Sequence, residues 1–484
     1  MAEPATTAVV DPPELGSRNR SVIAILLVAA FVVILNETAF NVALTSVMGD
    51  LHIEGRTVQW LTTAFMLTMA VVIPVTGWLL QRIPTRNAFV LAMSLFTTGT
   101  LACAVAPAFG LVLVGRVIQA SGTAIMLPLL MTTVMQLVPP SRRGAIMGNI
   151  SMVISVAPAL GPTMAGLVLH FASWRGVFAM MVPIGLTMLI VGARRIVNVN
   201  EPTRVPLDIW SIPLTVLGFG GLVYGLSLIG DSRVPPAELI TAFSVATLAL
   251  VAFVVRQLLL ARHDRALLDL RAFQHTAFTI SVVVMALAMM ALFGTVIMLP
   301  LILQQALHLE PLSVGLILLP GGLLMGVLGP VSGRLYDRVG PRPMMLPASV
   351  VVAGVFWLLS MIQLTTPWWL ILACHMVMSA CFAFMFTPLF TIALGSLPPN
   401  LYSHGSAIVG TVQQVAGAVG TAVFVTVLAS QSASAQAAGA SLEASLLQGS
   451  HVAFLGAGAV WTLAIVATAF IKAPDLDDSL PIHH

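Results

Sequence analysis

Long apolar runs recur along the whole of this 484-residue chain, and they constrain its fold more than any other feature. A helix needs about 20 apolar residues to cross the hydrocarbon core of a bilayer. Only 8% of the residues are charged, whereas soluble globular domains carry about 25%. The sequence therefore predicts an all-α polytopic membrane protein. Its fourteen candidate spans centre on 21–47, 57–80, 87–106, 109–137, 144–169, 176–196, 209–229, 237–260, 276–303, 313–333, 343–363, 368–395, 405–429 and 451–471.

The positions of the basic residues predict how the chain lies in the membrane. Cytoplasmic loops carry an excess of Lys and Arg. Nearly all the arginines fall in one alternate set of loops, and the other set holds only Arg56, Arg175 and Arg233. Both termini are therefore expected in the cytoplasm, and the net charge of +3 requires no nucleic-acid partner. Lys472 is the only lysine, a usage typical of a GC-rich bacterium, so we expect the bacterial plasma (inner) membrane.

Two loops repeat the same pattern in the two halves of the chain. The stretch "GWLLQRIPTRN" (Gly77–Asn87) follows the second span, and "GRLYDRVGPRP" (Gly333–Pro343) follows the tenth. Internal repeats of membrane helices are typical of secondary transporters. If each half has six core spans, spans 7 and 8 are additional. The predicted divisions are a cytoplasmic tail at 1–20, a six-helix bundle at 21–200, two additional transmembrane helices at 201–262, a second six-helix bundle at 263–472 and a cytoplasmic tail at 473–484.

Five motifs occur in order on these spans and loops. The first span has "LNETAFNVAL", the fourth "GRVIQASGTAIM", the fifth "APALGPTMAG", and the sixth begins with "SWRGVFAMMVPIG". Together with the loop signature G-x-L-x-D-R-x-G-x-[RK], they resemble the major facilitator superfamily, and within it the fourteen-span drug:proton antiporters. The resemblance covers the whole chain and implies the major facilitator fold. The matching loop residues are Gly333, Leu335, Asp337, Arg338, Gly340 and Arg342 in the second loop and Gly77, Leu79, Arg82 and Arg86 in the first.

One acid, Glu37, lies well inside a span, where a charge is costly and usually functional. At 1.5 Å per residue, Glu37 lies about 24 Å along the first span, and Arg116 lies roughly 10 Å below the outer face on the fourth. Their depths are therefore similar. We predict that Glu37 takes up and releases the proton that drives transport, and that Arg116 tunes its acidity because a nearby cation lowers a carboxyl pKa.

Other roles for these two residues stay open. Glu37 and Arg116 could form a static ion pair that fixes helix packing, Glu37 could recognise a cationic substrate directly, or Arg116 could bond carbonyls at a helix kink. The family pattern places its acid one position earlier, where this chain has Asn36. A shift of one residue rotates a helical side chain by about 100°, so Glu37 could face a different neighbour. Asn36, Asn41 and Gln119 are expected to supply hydrogen bonds in the same region.

The fifth span carries the residues of the antiporter motif, Pro158, Gly161, Pro162 and Gly166. Proline removes backbone donors and kinks a helix, and small residues spaced by four permit close helix contact. We expect this kinked stripe to seal the outer ends of the two halves. The family resemblance links the motif with export.

The two repeated loops are expected to form cytoplasmic gates. Asp337 and the arginines around it should hold the second gate, because a carboxylate near the start of the eleventh span is favoured by the helix dipole. In the first loop Gln81 replaces the acid and Pro84 replaces the second glycine. The first gate should therefore be the weaker one.

The substrate surface is predicted from adaptable and polar side chains in the spans. Methionine thioethers suit the binding of varied apolar molecules. Because only one acid lies deep, a strongly dicationic substrate is not expected. The candidates, beside the polar residues named above, are Met66, Met69, Met126, Phe293, Met298, Gln304, Gln413 and Gln414.

These features predict a secondary active transporter and not an enzyme. Specifically, we expect a monomeric proton-coupled antiporter that exports amphipathic small molecules or drugs by alternating access, with the bilayer as its setting and no cofactor or metal. A dedicated exporter of one metabolite or antibiotic is the near alternative, and a proton symporter is a further one. A polytopic membrane enzyme would need clustered polar or metal-binding side chains, and the spans offer His375 and little else.

Overall fold

The computed structural model describes residues 16–200, 202–203, 206–229 and 234–471, and this part of the chain has fourteen helices long and apolar enough to cross a membrane. The predicted number of spans is confirmed. The first seven helices are Ser17–Asp50 (α1), Gly55–Arg82 (α2), Thr85–Ala104 (α3), Phe109–Leu137 (α4), Arg143–Phe171 (α5), Trp174–Arg195 (α6) and Ser211–Leu228 (α7). The other seven are Pro236–Ala261 (α8), Thr276–Gln305 (α9), Pro311–Val339 (α10), Arg342–Leu359 (α11), Trp368–Gly395 (α12), Tyr402–Ala437 (α13) and Leu442–Ala469 (α14). The predicted tails fall largely outside the described residues, as do Arg204, Arg233 and Lys472.

Apart from α5 and α10, which contact each other most extensively, the first six helices pack mainly against one another, and so do the last six. In the first group α3 lies against α4 and α6, and α1 lies against α5. In the second group α13 lies against α9 and α14, and α12 lies against α10 and α11. The two groups meet where α5 packs on α10 and where α2 packs on α13.

Glycines make the contact between α5 and α10 very close. A Cβ atom at Gly148 would lie 2.5 Å from the carbonyl oxygen of Gly329. One at Gly333 would collide with the backbone of Gly144. Close backbone approach of this kind is how membrane helices associate without a hydrophobic driving force between them. The two halves are therefore held together here by van der Waals packing of main-chain atoms.

Hydrogen bonds between the two halves occur only at one end of the bundle, as far as the described residues show. We call it the basic end, because α1 begins there and most loop arginines lie there, and we call the other the opposite end. The bonded pairs are Gln81 with Asn400, Thr132 with Ser406, Arg143 with Tyr402, Ser151 with Thr387, and Gly144 and Ala145 with Asp337. In the part of the chain that the structure describes, the hydrogen bonds between the two halves thus lie at the basic end.

The two additional helices, α7 and α8, cover one side of the contact between the halves. Val223 of α7 is buried in a cluster with Ala70 of α2 and Ala418 of α13. Just before α7, Asp208 pairs with Arg256 of α8 at 2.5 Å. The Arg256 guanidinium holds the pKa of the Asp208 carboxyl below its usual range. The ion pair therefore joins α7 and α8 at the basic end, and α7 packs on both halves of the bundle.

Candidate transport site

A chain of buried polar side chains joins four helices of the first half. The Nη1 atom of Arg116 donates to Oε1 of Gln119 at 2.6 Å. The Nε2 atom of Gln119 in turn donates to Asn36 of α1 and to Thr100 of α3, both at 2.7 Å. The Nε atom of Arg116 donates to the carbonyl of Leu61 in α2 at 3.4 Å. All four of these side chains are buried, so the chain of bonds fixes α1 to α4 relative to one another.

The Arg116 cation is stabilised by aromatic rings. Its guanidinium carbon lies 4.5 Å from the ring centroid of Phe40 and 4.0 Å from that of Phe65. A desolvated cation–π contact contributes about 2 kcal/mol. Burying a charge is costly unless such contacts and hydrogen bonds compensate it. Arg116 therefore retains its charge in the protein interior although no described carboxylate lies within ion-pair distance.

Glu37 stays outside this network. Its carboxylate has no hydrogen bond or ion pair with any described residue, and its side chain is half-buried. The next residue on the same helical face, Asn41, is exposed. Because Asn36 and Glu37 point about 100° apart, Asn36 contacts the Arg116 network and Glu37 points away from it. The static ion pair considered from sequence is absent here, although Arg116 is close enough to Glu37 to act on it electrostatically.

The depth of Glu37 places it on the less tightly joined side of the bundle. It lies about 20 Å from the end of α1 at Asp50, at 1.5 Å per residue. The hydrogen bonds between the halves are all nearer the basic end. In this arrangement the carboxylate is thus separated from the basic end by the joined part of the two halves.

The antiporter motif of α5 packs inside the first half. Ala157, Gly161 and Ala165 are buried. A Cβ atom at Gly161 would collide with the Thr38 hydroxyl of α1 and lie 2.9 Å from the backbone nitrogen of Ala39. The expectation that this stripe seals the two halves against each other is therefore wrong about the partner. Another face of α5 meets α10, and Pro158 and Pro162 lie within the continuous helix α5.

Replacing Gly161 by leucine should lower stability, whereas the same change at Gly166 should not. Overpacking a tight helix contact costs about 1–3 kcal/mol. No atom lies within 4 Å of a Cβ atom built at Gly166, so that side chain has open space. Thermal unfolding of the two purified variants in detergent would measure the difference. Equal melting temperatures would contradict a packing role for Gly161.

The predicted second gate contains an unexpected bond partner for Asp337. Its two carboxylate oxygens accept hydrogen bonds from the backbone N–H groups of Gly144 at 3.0 Å and Ala145 at 2.9 Å. These groups are the first donors of α5, where the helix dipole favours a negative charge. The sequence-based prediction named the surrounding arginines and the dipole of the eleventh span, and it missed α5. The carboxylate of one half thus caps a helix of the other.

The first loop is bonded to the other half through Gln81. The side-chain amide of Gln81 donates to the carbonyl of Asn400 at 3.0 Å. Gly77 packs directly on His404. One neutral bond here contrasts with the two charge-assisted bonds of Asp337, and charge-assisted bonds are about twice as strong. That the gates are functionally unequal stays a prediction.

The other predicted gate residues have varied surroundings. Gly340 ends α10 with a φ of 74°, a conformation that favours glycine. Arg342 donates from Nε to the carbonyl of Ile471 at 3.1 Å. Arg338 is exposed, the Arg82 guanidinium lies 5.7 Å from the Trp78 ring, and the backbone N–H of Arg86 bonds to Asn198.

The predicted substrate contacts divide into accessible and inaccessible residues. Met69, Met126 and Met298 are buried in the apolar core, so in this arrangement they do not line a cavity as expected. Met66 packs against the cluster that contains Val223. Phe293 is 44% exposed. The remaining candidates, Asn41, Gln304, Gln413 and Gln414, are exposed or half-buried, and no hydrogen bond of their side chains to a described residue is found.

Sequence reasoning missed a cluster at the opposite end. Asp50, at the end of α1, accepts hydrogen bonds from Trp174 Nε1 at 3.0 Å and from Arg175 at 2.6 Å. Arg175 also donates to the carbonyl of Ala106 at 3.0 Å. The start of α6 is thereby tied to the ends of α1 and α3. The contact with Asp50 gives the tryptophan and arginine of "SWRG" a structural role. The presence of Asp50 at the end of the first span was the sequence feature that could have predicted this cluster.

A model of the Major Facilitator Superfamily matches residues 26–421 of the chain. The lincomycin resistance protein LmrB of Listeria monocytogenes is 38% identical over 456 residues, which cover 93% of this chain and 96% of that protein. The multidrug export protein EmrB of Haemophilus influenzae is 28% identical and covers 85% of this chain and 81% of its own length. The crystal structure of the human organic anion transporter MFSD10 superimposes with a TM-score of 0.64 at 15% identity, over 92% of this chain and 99% of that one.

Fold and site together define a multi-pass membrane transporter and not an enzyme, as the sequence predicted. The chain belongs to the major facilitator superfamily. The predicted resemblance to multidrug exporters of that superfamily is confirmed by its relatives.

Proposed function

We propose that the protein is a proton-coupled antiporter that exports amphipathic small molecules across the bacterial plasma membrane, with both termini in the cytoplasm. The observation that carries this proposal is the half-buried carboxylate of Glu37, which has no bonded partner among the described residues and lies near the buried Arg116 cation. Ionisable groups inside membrane spans are costly and mark proton or substrate pathways. A carboxylate without a bond to break can exchange a proton at low cost.

The geometry supports an alternating cycle. With the halves joined at the basic end, Glu37 receives a proton from the opposite side. Protonation removes the negative charge and with it the attraction for a cationic or strongly polar substrate, so that proton and substrate exclude each other. Reopening the basic end requires the bonds of Asp337 and Gln81 to break. The protein acts as a monomer without a cofactor in this proposal.

The substrate class follows from the accessible residues and from the relatives. Exposed Phe293 and the amides of Gln413 and Gln414 offer an apolar surface with a few hydrogen-bonding groups, which suits amphipathic molecules. The relatives named for lincomycin resistance make a lincosamide the first compound to test. A second candidate, direct recognition of a cationic substrate by Glu37, is favoured by the same unpaired carboxylate.

Transport by purified protein in proteoliposomes would test this function. Accumulation of a lincosamide or a lipophilic cation should require an imposed pH gradient, acidic on the side facing the opposite end, and a protonophore should abolish it. Proteoliposomes without protein and a gradient of equal size in Na⁺ provide the controls. Accumulation that persists with protonophore present would contradict proton coupling.

A further inference from the structure

The two additional helices form an open groove between them. It has a volume of about 460 Å³ and lies between α7 and α8. Its deep wall is apolar, with Val216, Leu217 and Val245 each more than 40% exposed. The other side of α7 packs on α2 and α13, so the groove is not part of the contact between the two halves.

Small residues and an irregular turn give the groove its shape. Residues 216–220 of α7 form a π-helical stretch, which widens the helix locally. Nearer the opposite end of the bundle, Ala237, Thr241 and Ala242 of α8 line the space with small side chains. Within the π-helical stretch itself, Gly218 packs on Leu250. The result is a furrow that runs along the two helices and opens sideways.

The groove changes from polar to apolar along its length. At the opposite end of the bundle, the Tyr224 hydroxyl donates to the Glu238 carboxylate at 2.8 Å. The ring of Trp60 stacks on Tyr224 with centroids 5.9 Å apart. Trp and Tyr concentrate at the membrane–water interface. Val245 lies seven residues beyond Glu238, which is about 10 Å deeper. A polar head at the membrane surface and a chain in the hydrocarbon would match this gradient.

Two opposite charges stand at the polar end of the groove. Glu238 supplies a carboxylate to the lining. Arg56, which is exposed, lies one helical turn before Trp60 on α2, and Trp60 stacks on Tyr224. A headgroup that carries an ammonium and a phosphate complements this pair. A lipid with only a negative headgroup charge would be repelled by Glu238.

We propose that this groove binds one phospholipid with an amine-bearing zwitterionic headgroup, such as phosphatidylethanolamine. The ammonium lies against Glu238, the phosphate lies near Arg56, and one acyl chain follows the furrow past Val245. Because α7 and α8 pack on both halves, the bound lipid covers the outer surface of the element that bridges them. This site is separate from Glu37, and the proposal does not depend on the transport reaction.

Native mass spectrometry of the purified protein would test the site with phosphatidylethanolamine and phosphatidylglycerol as probes. We expect one retained phosphatidylethanolamine, preferred at least about fivefold over phosphatidylglycerol. Glu238→Gln should lower that retention about fivefold because the charged contact is lost. Thr241→Trp should abolish it by filling the groove. Thr241 is exposed, so this variant should fold normally, which circular dichroism and gel filtration would verify.

Glu443→Gln is the matched control, since Glu443 is also an acid in the first turn of a helix at the opposite end. It should retain the lipid as the wild type does. Equal retention of both lipids, or unchanged retention in Thr241→Trp, would overturn the proposal. Displacement of the lipid by a transported drug would assign the groove to substrate. If the wild type forms a dimer and Thr241→Trp dissociates it, the groove binds a second copy of the chain.

Discussion

Glu37→Gln should abolish uphill export while leaving the fold intact. The amide has nearly the shape of the carboxylate but does not exchange a proton near neutral pH. Since Glu37 is half-buried and bonds to no described residue, the change removes no packing contact or hydrogen bond. We expect a loss of about tenfold or more in gradient-driven accumulation, as for an essential intramembrane ionisable group. Accumulation in proteoliposomes under an imposed pH gradient measures it.

Substrate counterflow without a gradient separates the two candidate roles of Glu37. If the residue only carries the proton, Glu37→Gln should still exchange substrate across the membrane. If it binds a cationic substrate directly, counterflow should fall together with accumulation. Glu443→Gln, a change of the same kind in the first turn of α14 at a residue 3.5 Å from His308, should leave both assays unchanged. Full uphill export by Glu37→Gln would rule out the coupling role.

Gly333→Leu should prevent the two halves from closing at the basic end. The three atoms nearest to a Cβ atom at this position are all backbone atoms, including the Gly144 carbonyl carbon at 2.8 Å and Ala145 Cα at 3.0 Å. Main-chain atoms cannot move aside unless α5 itself shifts. Overpacking costs about 1–3 kcal/mol, which displaces an equilibrium between two conformations by roughly a factor of 5 to 150. We expect transport to fall by a comparable factor.

Distance measurements between spin labels on α5 and α10 at the basic end would show the change directly. The wild type should give one short distance, and Gly333→Leu should give a longer one. The control is Gly354→Leu in α11, because a Cβ atom there has no neighbour within 4 Å. An unchanged short distance with wild-type transport in Gly333→Leu would mean that the close contact is not required in the cycle.

The number of spans and the transporter class followed from the sequence because membrane burial acts on each segment independently. A run of about 20 apolar residues crosses the bilayer whatever its neighbours are. All fourteen predicted spans occur as helices. The family motifs then added the superfamily, which the comparisons confirmed. None of these inferences required knowing which helix touches which.

The site was harder to predict because it depends on helix rotation and pairing. Depth alone suggested that Glu37 meets Arg116, since the two lie at similar levels. In the structure, Arg116 donates a hydrogen bond to Gln119, and two aromatic rings lie against its guanidinium group. Likewise Asp337 accepts hydrogen bonds from main-chain N–H groups of α5. Every residue type except proline carries such a donor, so the sequence does not indicate which one is used. Backbone partners leave little trace in the side-chain pattern.

By itself the sequence determined the helices, their number and the presence of one deep acid, since these depend on local hydropathy and on residue identity. Only the tertiary structure decided that Asn36 joins the Arg116 network and that Glu37 does not. Adjacent residues on a helix point about 100° apart, and which direction faces a neighbour is fixed by how the helices pack. That single rotation leaves the Glu37 carboxylate half-buried and without a bonded partner among the described residues.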